Sequence, residues 1–590
     1  MSLRTADAAA SKLAKRTTDP TPLRRLLTSP NTVLGLACAL ACGLLLLPIT
    51  LTVGPSYWDV YQYYDAANRI FSGQVPGNDF ATPAGPLGYY VFAVWLAVFP
   101  NGQPALLAEW STLTVTAPLM ALVLADVGRR SRGTAFALLL PFLLFALLPF
   151  NTREYYPLPG TDAFGIYNRQ VCQLLYVLVA AIMFMRNRKR LTVVIAVGMS
   201  ALFFVKVTGF LAGCLITFYA CLAGRLRIRN LVTAVAAFAA LLAVLQVTTG
   251  MVSSYLGDLA TLVAINSATL APRFMQAASV NFGILMCTGL LAVALLWMDR
   301  LMLASATTSA WRLRSAARAS AILDHPGCWL LVILAAGVFS ETQNYGSQAL
   351  IFLWPLCLRV LLKIRRRSKS SPAAVVVVVT LIATAMLPPA VAVAERAGRS
   401  LVGSVKNVPL TNRNLKALGA VNMRPDVALR AEHMIDFYPK HRVTYQDMVV
   451  VGELPTPLLF SDSDFQIIYL MSVDQAVDAI RQLEQEKRVR FETIMSVNNY
   501  NPFPYLMDRT APRTLSVAAD PLRTVQAPSS EERQAISDTD LVLYPTCPPT
   551  ATNARLLAMY AQALASHRRI ELSDCFDAYV NPRFDAALGE

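Results

Sequence analysis

Five short basic clusters punctuate the N-terminal two thirds of the chain: GRRSRG at 128–133, RNRKR at 186–190, GRLRIRN at 224–230, an Arg-rich run at 300–318 and KIRRRSK at 363–369. Between them lie long apolar runs, and such a chain has few options. Runs of about 20 apolar residues cross a bilayer, and Lys and Arg collect on its cytoplasmic side. Every cluster therefore belongs on one side, and the number of crossings between two clusters is even. Composition agrees, since 55% of the 590 residues are hydrophobic and only 15% are charged, too apolar for a soluble globular protein. The net charge of +15 resides in those clusters and not on the face of a soluble domain, which excludes nucleic acid as a partner.

Residues 1–31 carry scattered Arg and Lys among Ser, Thr and Pro and read as a disordered basic cytoplasmic tail. The apolar run 32–53 is long enough to span and to remain as an anchor. It places residues 57–90, YWDVYQYYDAANRIFSGQVPGNDFATPAGPLGYY, outside. Parity then requires an odd number of crossings before GRRSRG. The stretch 85–99, short and holding Pro86 and Gly88, is assigned as a re-entrant or interfacial helix, and 104–126 as the crossing.

Residues 134–150 lead out, 151–170 form a second outer loop, and 171–185 return. The stretch 191–223 has basic clusters at both ends, so it is expected to be a hairpin of two short helices whose apex carries Lys206, Thr208 and Gly209. A second hairpin over 327–363 has SETQNYGSQ (340–348) at its apex. Between the hairpins, 231–251 and 275–298 cross and leave Asp258 and Arg273 outside. A last span over 373–394 brings the count to about eleven transmembrane helices, with the N-terminus cytoplasmic and the C-terminus outside.

From residue 395 onward charge becomes frequent. DMVVVGEL, FETIMSV and TDLVLYPT read as strands, and SVDQAVDAIRQLEQEKR and ATNARLLAMYAQALASHRR as amphipathic helices. The expected architecture is thus an α-helical polytopic membrane protein over 32–394 followed by an extracytoplasmic α/β domain over 395–590. Of ten cysteines, only Cys547 and Cys575 lie in the polar part, where an oxidising compartment would allow a disulfide. Four His and the absence of CxxC leave no basis for a protein-built zinc site. No cofactor motif stands out, and assistance by a divalent metal is left open.

The polar groups of the membrane part converge on the outer side: Asp59, Asp65 and Asp79 from the first loop, Arg153, Glu154, Asp162 and Arg169 from the second, Lys206 from one hairpin, and Glu341, Gln343, Asn344 and Tyr345 from the other. Ionisable groups beside lipid are costly, so the cluster points to a charged or sugar-like substrate. Lys and Arg at that level suit a phosphate. Each group also has a plain structural duty open to it. Asp65 can pair with Arg69, Asp79 can staple a turn, Lys206 can snorkel, and Arg153 and Arg169 can pair with Glu154 and Asp162. The run Tyr61, Tyr63, Tyr64, Tyr89 and Tyr90 suits an interface belt or a sugar-binding surface.

The stretch WDVYQYYDAANRIFSGQVPGNDFATPAGPLGYY resembles the first external loop of polytopic C-type (GT-C) glycosyltransferases, which use lipid-phosphate sugar donors, and the resemblance covers residues 32–210. It implies that Asp59 and Asp79 are the loop carboxylates of catalysis, with Asp59 as base, and that Glu154 or Asp162 is the acid of the second loop. Without a doubled acidic pair or a Trp-Trp-Asp sequence, the pattern is nearest to bacterial members that transfer a sugar from a polyprenyl phosphate to a glycan or lipid. The resemblance further implies a multi-pass enzyme of the bacterial inner membrane, with donor, acceptor and membrane lipids as partners and with Lys206, Arg153, Arg169, Tyr63, Tyr64, Gln343 and Asn344 binding substrate. The competing class is a transporter or flippase of a lipid-linked or polar substrate.

Overall fold

The computed structural model describes residues 29–589 except 55, 154–159, 313–314, 343–347, 366–370, 454–462 and 548. The chain is mostly helical, with seven short strands among the described residues, one just before the first loop and six in the C-terminal region. Helices such as Ile228–Thr249 and Phe282–Met298 turn Val232, Val244, Val247, Val293 and Trp297 to the outside. So wide an apolar surface belongs in lipid. Three described helices are long and apolar enough to cross a bilayer, or six if each bent pair counts as one span.

The first three basic clusters meet at one end of the bundle. Asp126 holds Arg130 at 2.8 Å and the Arg186 N–H at 2.8 Å, Arg188 donates to the Arg225 carbonyl, and Asp324 joins Arg225 at 2.6 Å to Arg359 at 2.9 Å.

The stretch 191–223 is a hairpin. Its arms, Arg188–Val205 and Val207–Leu222, break at Lys206, whose backbone is extended. A Cβ on Gly213 would lie 2.8 Å from the Met199 sulfur, so residues seven before and seven after the apex face each other, as antiparallel arms must. In the second hairpin, Pro326–Ser340 and Trp354–Arg365 are the arms.

Several expected elements differ. The first helix spans only Pro30–Leu45, because Leu51–Thr52 (β1) is drawn off to pair with Val421–Met423 (β3), itself flanked by Val408–Pro409 (β2). The crossing expected over 275–298 is broken at Asn281 between Leu270–Val280 and Phe282–Met298; residues Met251–Val280 lie at 77° to the following helix. DMVVV ends the helix Arg442–Val450 and is no strand. Helix Ala551–Tyr560 stops early, and the residues after it feed a strand.

FETIMSV and TDLVLYPT do supply strands, Ile494–Ser496 (β4) and Leu541–Pro545 (β5). With Arg568–Ser573 (β6) and Phe576–Val580 (β7) they form a sheet of order β4-β5-β7-β6, whose central strand β5 is wholly buried. Cys547 and Cys575 form a disulfide across the end of β5 and β7. The helix Pro372–Ser404 passes residue 394 unbroken and delivers the chain into this region.

Candidate functional site

The loop helix Asp59–Phe71 is the keystone of the end opposite the basic clusters. Its aromatic residues dock the C-terminal region. Trp58 stacks on Tyr500 with centroids 5.5 Å apart, Tyr61 packs on Tyr469 at 5.7 Å, and Tyr64 meets Tyr505 edge-on at 4.6 Å. The polar residues of the same helix bond across that seam: Asn68 to the Arg509 carbonyl at 2.9 Å and Arg69 to the Pro512 carbonyl at 2.6 Å. Arg69 also pairs with Asp65 at 3.1 Å, both side chains buried, so Asp65 is structural.

Two backbone approaches fix the loops around this helix. Val53 and Thr161 bridge the first and second loops, and a Cβ on Gly54 would sit 2.4 Å from the Thr161 oxygen. Gly85 donates to the Val205 carbonyl at 2.9 Å, and a Cβ there would fall 2.1 Å from the Phe204 oxygen. The hairpin apex is thereby locked under the turn that ends the first loop.

Asp59 opens the helix and faces a cavity of about 150 Å³ shared by Trp58, Tyr167, Tyr500, Asn266, Arg273 and Arg523. Burial pushes its carboxyl up to about 7, against the opposing pull of the Gly165 N–H and of the Arg523 and Arg169 charges. Gly165 can turn that N–H toward Asp59 because its φ is +68°, a conformation that favours glycine. Arg273 and Arg523 repel each other across the cavity, and Asn266 anchors the Arg523 carbonyl at 3.1 Å. Two guanidiniums held together at an apolar rim form a ready site for a phosphate.

A second, mostly apolar cavity of about 140 Å³ adjoins the first and shares Pro83, Leu262, Asn266 and Arg273 with it. Val207, Leu259, Val263 and Leu270 line it. Lys206 also lines it, but its ammonium donates to Asn168 Oδ1 at 2.6 Å and the Ser340 carbonyl at 3.0 Å. It thus ties the hairpin apex to the helices Ile166–Phe184 and Pro326–Ser340.

The other candidates lie elsewhere. Asp79 accepts from the Val75 N–H at 2.7 Å and meets Arg513 at 3.3 Å, stapling its turn outside the Asp59 cavity. Arg169 pairs with Glu109 at 2.7 Å, both fully buried, and the Asp162 carboxylate pairs with Arg396 at 2.9 Å. Arg169 and the Asp162 carboxylate thus each take an ion-pair partner outside the second loop, while Arg169 still donates to the Asp162 carbonyl at 2.9 Å. The Arg153 carbonyl accepts from Arg396 at 2.8 Å. Tyr63 packs between Tyr89 and Phe92, and Tyr64 belongs to the docking seam. Glu341 is buried near Asn281, whereas Glu154, Gln343, Asn344 and Tyr345 lie outside the described residues. Arg523 went unforeseen, since one Arg in a C-terminal turn carries no pattern. Among the described residues no three His, Cys, Asp or Glu are placed to hold a metal ion.

No family model and no curated protein matches the chain. It is similar to crystal structures of ArnT from Cupriavidus metallidurans. The apo structure shares 11% identity over 95% of this chain and 98% of that one, with a TM-score of 0.39. The structure bound to undecaprenyl phosphate shares 12% over the same fractions, with a TM-score of 0.37. The archaeal oligosaccharyltransferase AglB from Archaeoglobus fulgidus, in complex with an inhibitory peptide and a dolichol-phosphate, shares 12% over 94% of this chain and 74% of that one, at 0.23. Likeness at these scores is too slight to assign a fold or an activity.

Proposed function

We propose that the protein is a membrane glycosyltransferase that moves a sugar from a polyprenyl-phosphate donor to a glycan or lipid acceptor at the extracytoplasmic face of a bacterial inner membrane. One observation carries the reading: a carboxylate and two guanidiniums share a cavity that adjoins an apolar one. In this reading the first isoprene units of the donor lie along Val207, Leu259 and Val263, and its phosphate meets Arg273 and Arg523, with Lys206 bracing the groove. Asp59 takes the proton from an acceptor hydroxyl as that oxygen attacks the anomeric carbon. The bond from that carbon to the phosphate oxygen breaks, and the phosphate leaves with the electron pair, its charge met by the two Arg. A single displacement inverts the configuration. A general base of this kind contributes about 10²–10⁴-fold, and fixed charge at the leaving phosphate adds to it.

The competing class, a transporter, is separated by reconstitution in sealed vesicles with a labelled polyprenyl-phosphate sugar. Covalent transfer of label to an acceptor is the expected result. Passage of the label across the bilayer with no covalent change would overturn the reading. Arg273→Ala and Arg523→Ala are each expected to weaken binding of undecaprenyl phosphate about tenfold or more, as loss of a charged hydrogen bond does.

A further inference from the structure

A third cavity, of about 570 Å³, lies between the last turn of the helix Pro372–Ser404, the strands β1 and β3, and the first turn of the helix Pro425–Lys440. It shares no lining residue with the Asp59 cavity. Val53, Met423, Pro425 and Val427 give it an apolar wall, and Lys406, Arg424 and Asp426 stand along that wall. Arg424 is taken by Asp426, with two N–H groups on the two carboxylate oxygens at 2.8 Å each. Lys406 is exposed, and among the described residues its ammonium has no hydrogen bond or ion pair.

Two elements set the level of this cavity in the bilayer. The helix Pro372–Ser404 has 33 residues, about 50 Å at 1.5 Å per residue, so it passes through about 30 Å of hydrocarbon into the headgroup region. Its end is tied to the exit of the first helix. Asn407 donates to Thr52 Oγ1 at 2.9 Å, and Leu46 and Leu47, shortly before Thr52, are exposed as residues in lipid are. Leu401, Val402 and Val405 are exposed as well, so the lipid-facing surface marked by Val376, Val379, Leu387 and Val391 continues along the helix to the rim of the cavity. An apolar strip thus leads out of the hydrocarbon and ends at an unmatched cation.

We propose that this cavity holds a phospholipid of the outer leaflet, with its phosphodiester on Lys406 and an acyl chain against Val53, Met423 and Val427. The charges match. Lys406 and Arg424 against Asp426 leave one positive charge, and a phosphodiester carries one negative charge, which an ammonium at headgroup level meets in a charge-assisted hydrogen bond. A soluble phosphate would leave the apolar wall in water, and a neutral lipid would leave Lys406 unmatched. The bound lipid fills the gap between the last span and the helix Pro425–Lys440 and so fastens the start of the C-terminal region to the membrane. Nothing in this inference depends on the reaction catalysed.

The test takes the full chain, stripped of lipid in detergent, and titrates it with dioleoyl phosphatidylglycerol, dioleoylglycerol and glycerol phosphate, with binding followed by native mass spectrometry. The phospholipid is expected to bind, and the neutral lipid and the soluble phosphate are not. Lys406→Glu, a change at an exposed position that leaves the fold intact, is expected to weaken phosphatidylglycerol about tenfold or more. Lys406→Arg keeps the cation and should bind as the wild type does, and Val427→Trp should abolish binding by filling the cavity. The double change Arg273→Ala and Arg523→Ala should leave phosphatidylglycerol binding unaltered, which separates this site from the Asp59 cavity. Absence of phospholipid binding to the wild type, wild-type binding by both Lys406→Glu and Val427→Trp, or binding of dioleoylglycerol or glycerol phosphate as tight as that of the phospholipid would overturn the proposal. Loss of phosphatidylglycerol binding in the double Arg variant would overturn it too, by placing the lipid in the other cavity.

Discussion

Asp59 combines a proton-accepting group with an unfavourable setting. Burial raises its carboxyl to about 7, well above the ordinary value of about 4. Acting as a base, it must be ionised, so kcat/KM for sugar transfer should climb as pH rises through about 7 and level off above it; a profile flat from pH 5 to 8 would exclude the role. The same shift sets the sign for stability. A carboxyl raised on folding costs nothing below its unfolded value and destabilises progressively as pH rises toward its folded value. Asp59→Asn should therefore raise the melting temperature relative to wild type at pH 8 and leave it unchanged at pH 4, as followed by thermal unfolding in detergent. Arg169 is the contrasting case. Its pair with Glu109 is fully buried, so Arg169→Ala leaves a charge unpaired at a cost of about 3–5 kcal/mol. Its expected phenotype is loss of folded protein on size-exclusion chromatography, not folded protein with weak donor binding.

At the scale of elements, the hairpin over 191–223 and the place of Lys206 at its apex followed from basic clusters at both ends of a run too long for one span. Asp65 pairing with Arg69 followed from their helical spacing. Other features were not legible, because each depends on a partner far away in sequence. β1 ends the first helix early only because β3 lies more than 350 residues downstream. DMVVV has the composition of a strand but continues a helix, local propensity yielding to context. Arg169 chose Glu109 over Asp162, and no spacing rule links those positions. Of the tyrosines that suit a membrane belt, Tyr61 and Tyr64 instead pack against the C-terminal region, and Tyr63 packs on Tyr89. Gly85 is the seam between loop and hairpin, and Gly85→Ala would force a Cβ onto the Phe204 carbonyl. The expected outcome is a lower melting temperature and weaker undecaprenyl phosphate binding together, since Lys206 and the apolar cavity move with the apex.

At the scale of the whole molecule, the proposed phosphate site is assembled from parts distant in sequence. Asp59 comes from the first loop, Arg273 from the segment between the hairpins, and Arg523 from the C-terminal region, so the site exists only when that region is docked. The Cys547–Cys575 disulfide closes the end of its sheet. Replacing both with Ser should cost about 2–4 kcal/mol, measurable by denaturant unfolding, while leaving the membrane helices in place. The role of Asp59 as base is tested most directly by single-turnover transfer from a radiolabelled polyprenyl-phosphate sugar by wild type and Asp59→Asn in nanodiscs, with undecaprenyl phosphate binding measured on the same samples. Asp59→Asn is expected to bind undecaprenyl phosphate normally and to slow transfer by about 10²-fold or more. Transfer at the wild-type rate by a variant that binds normally would contradict that role.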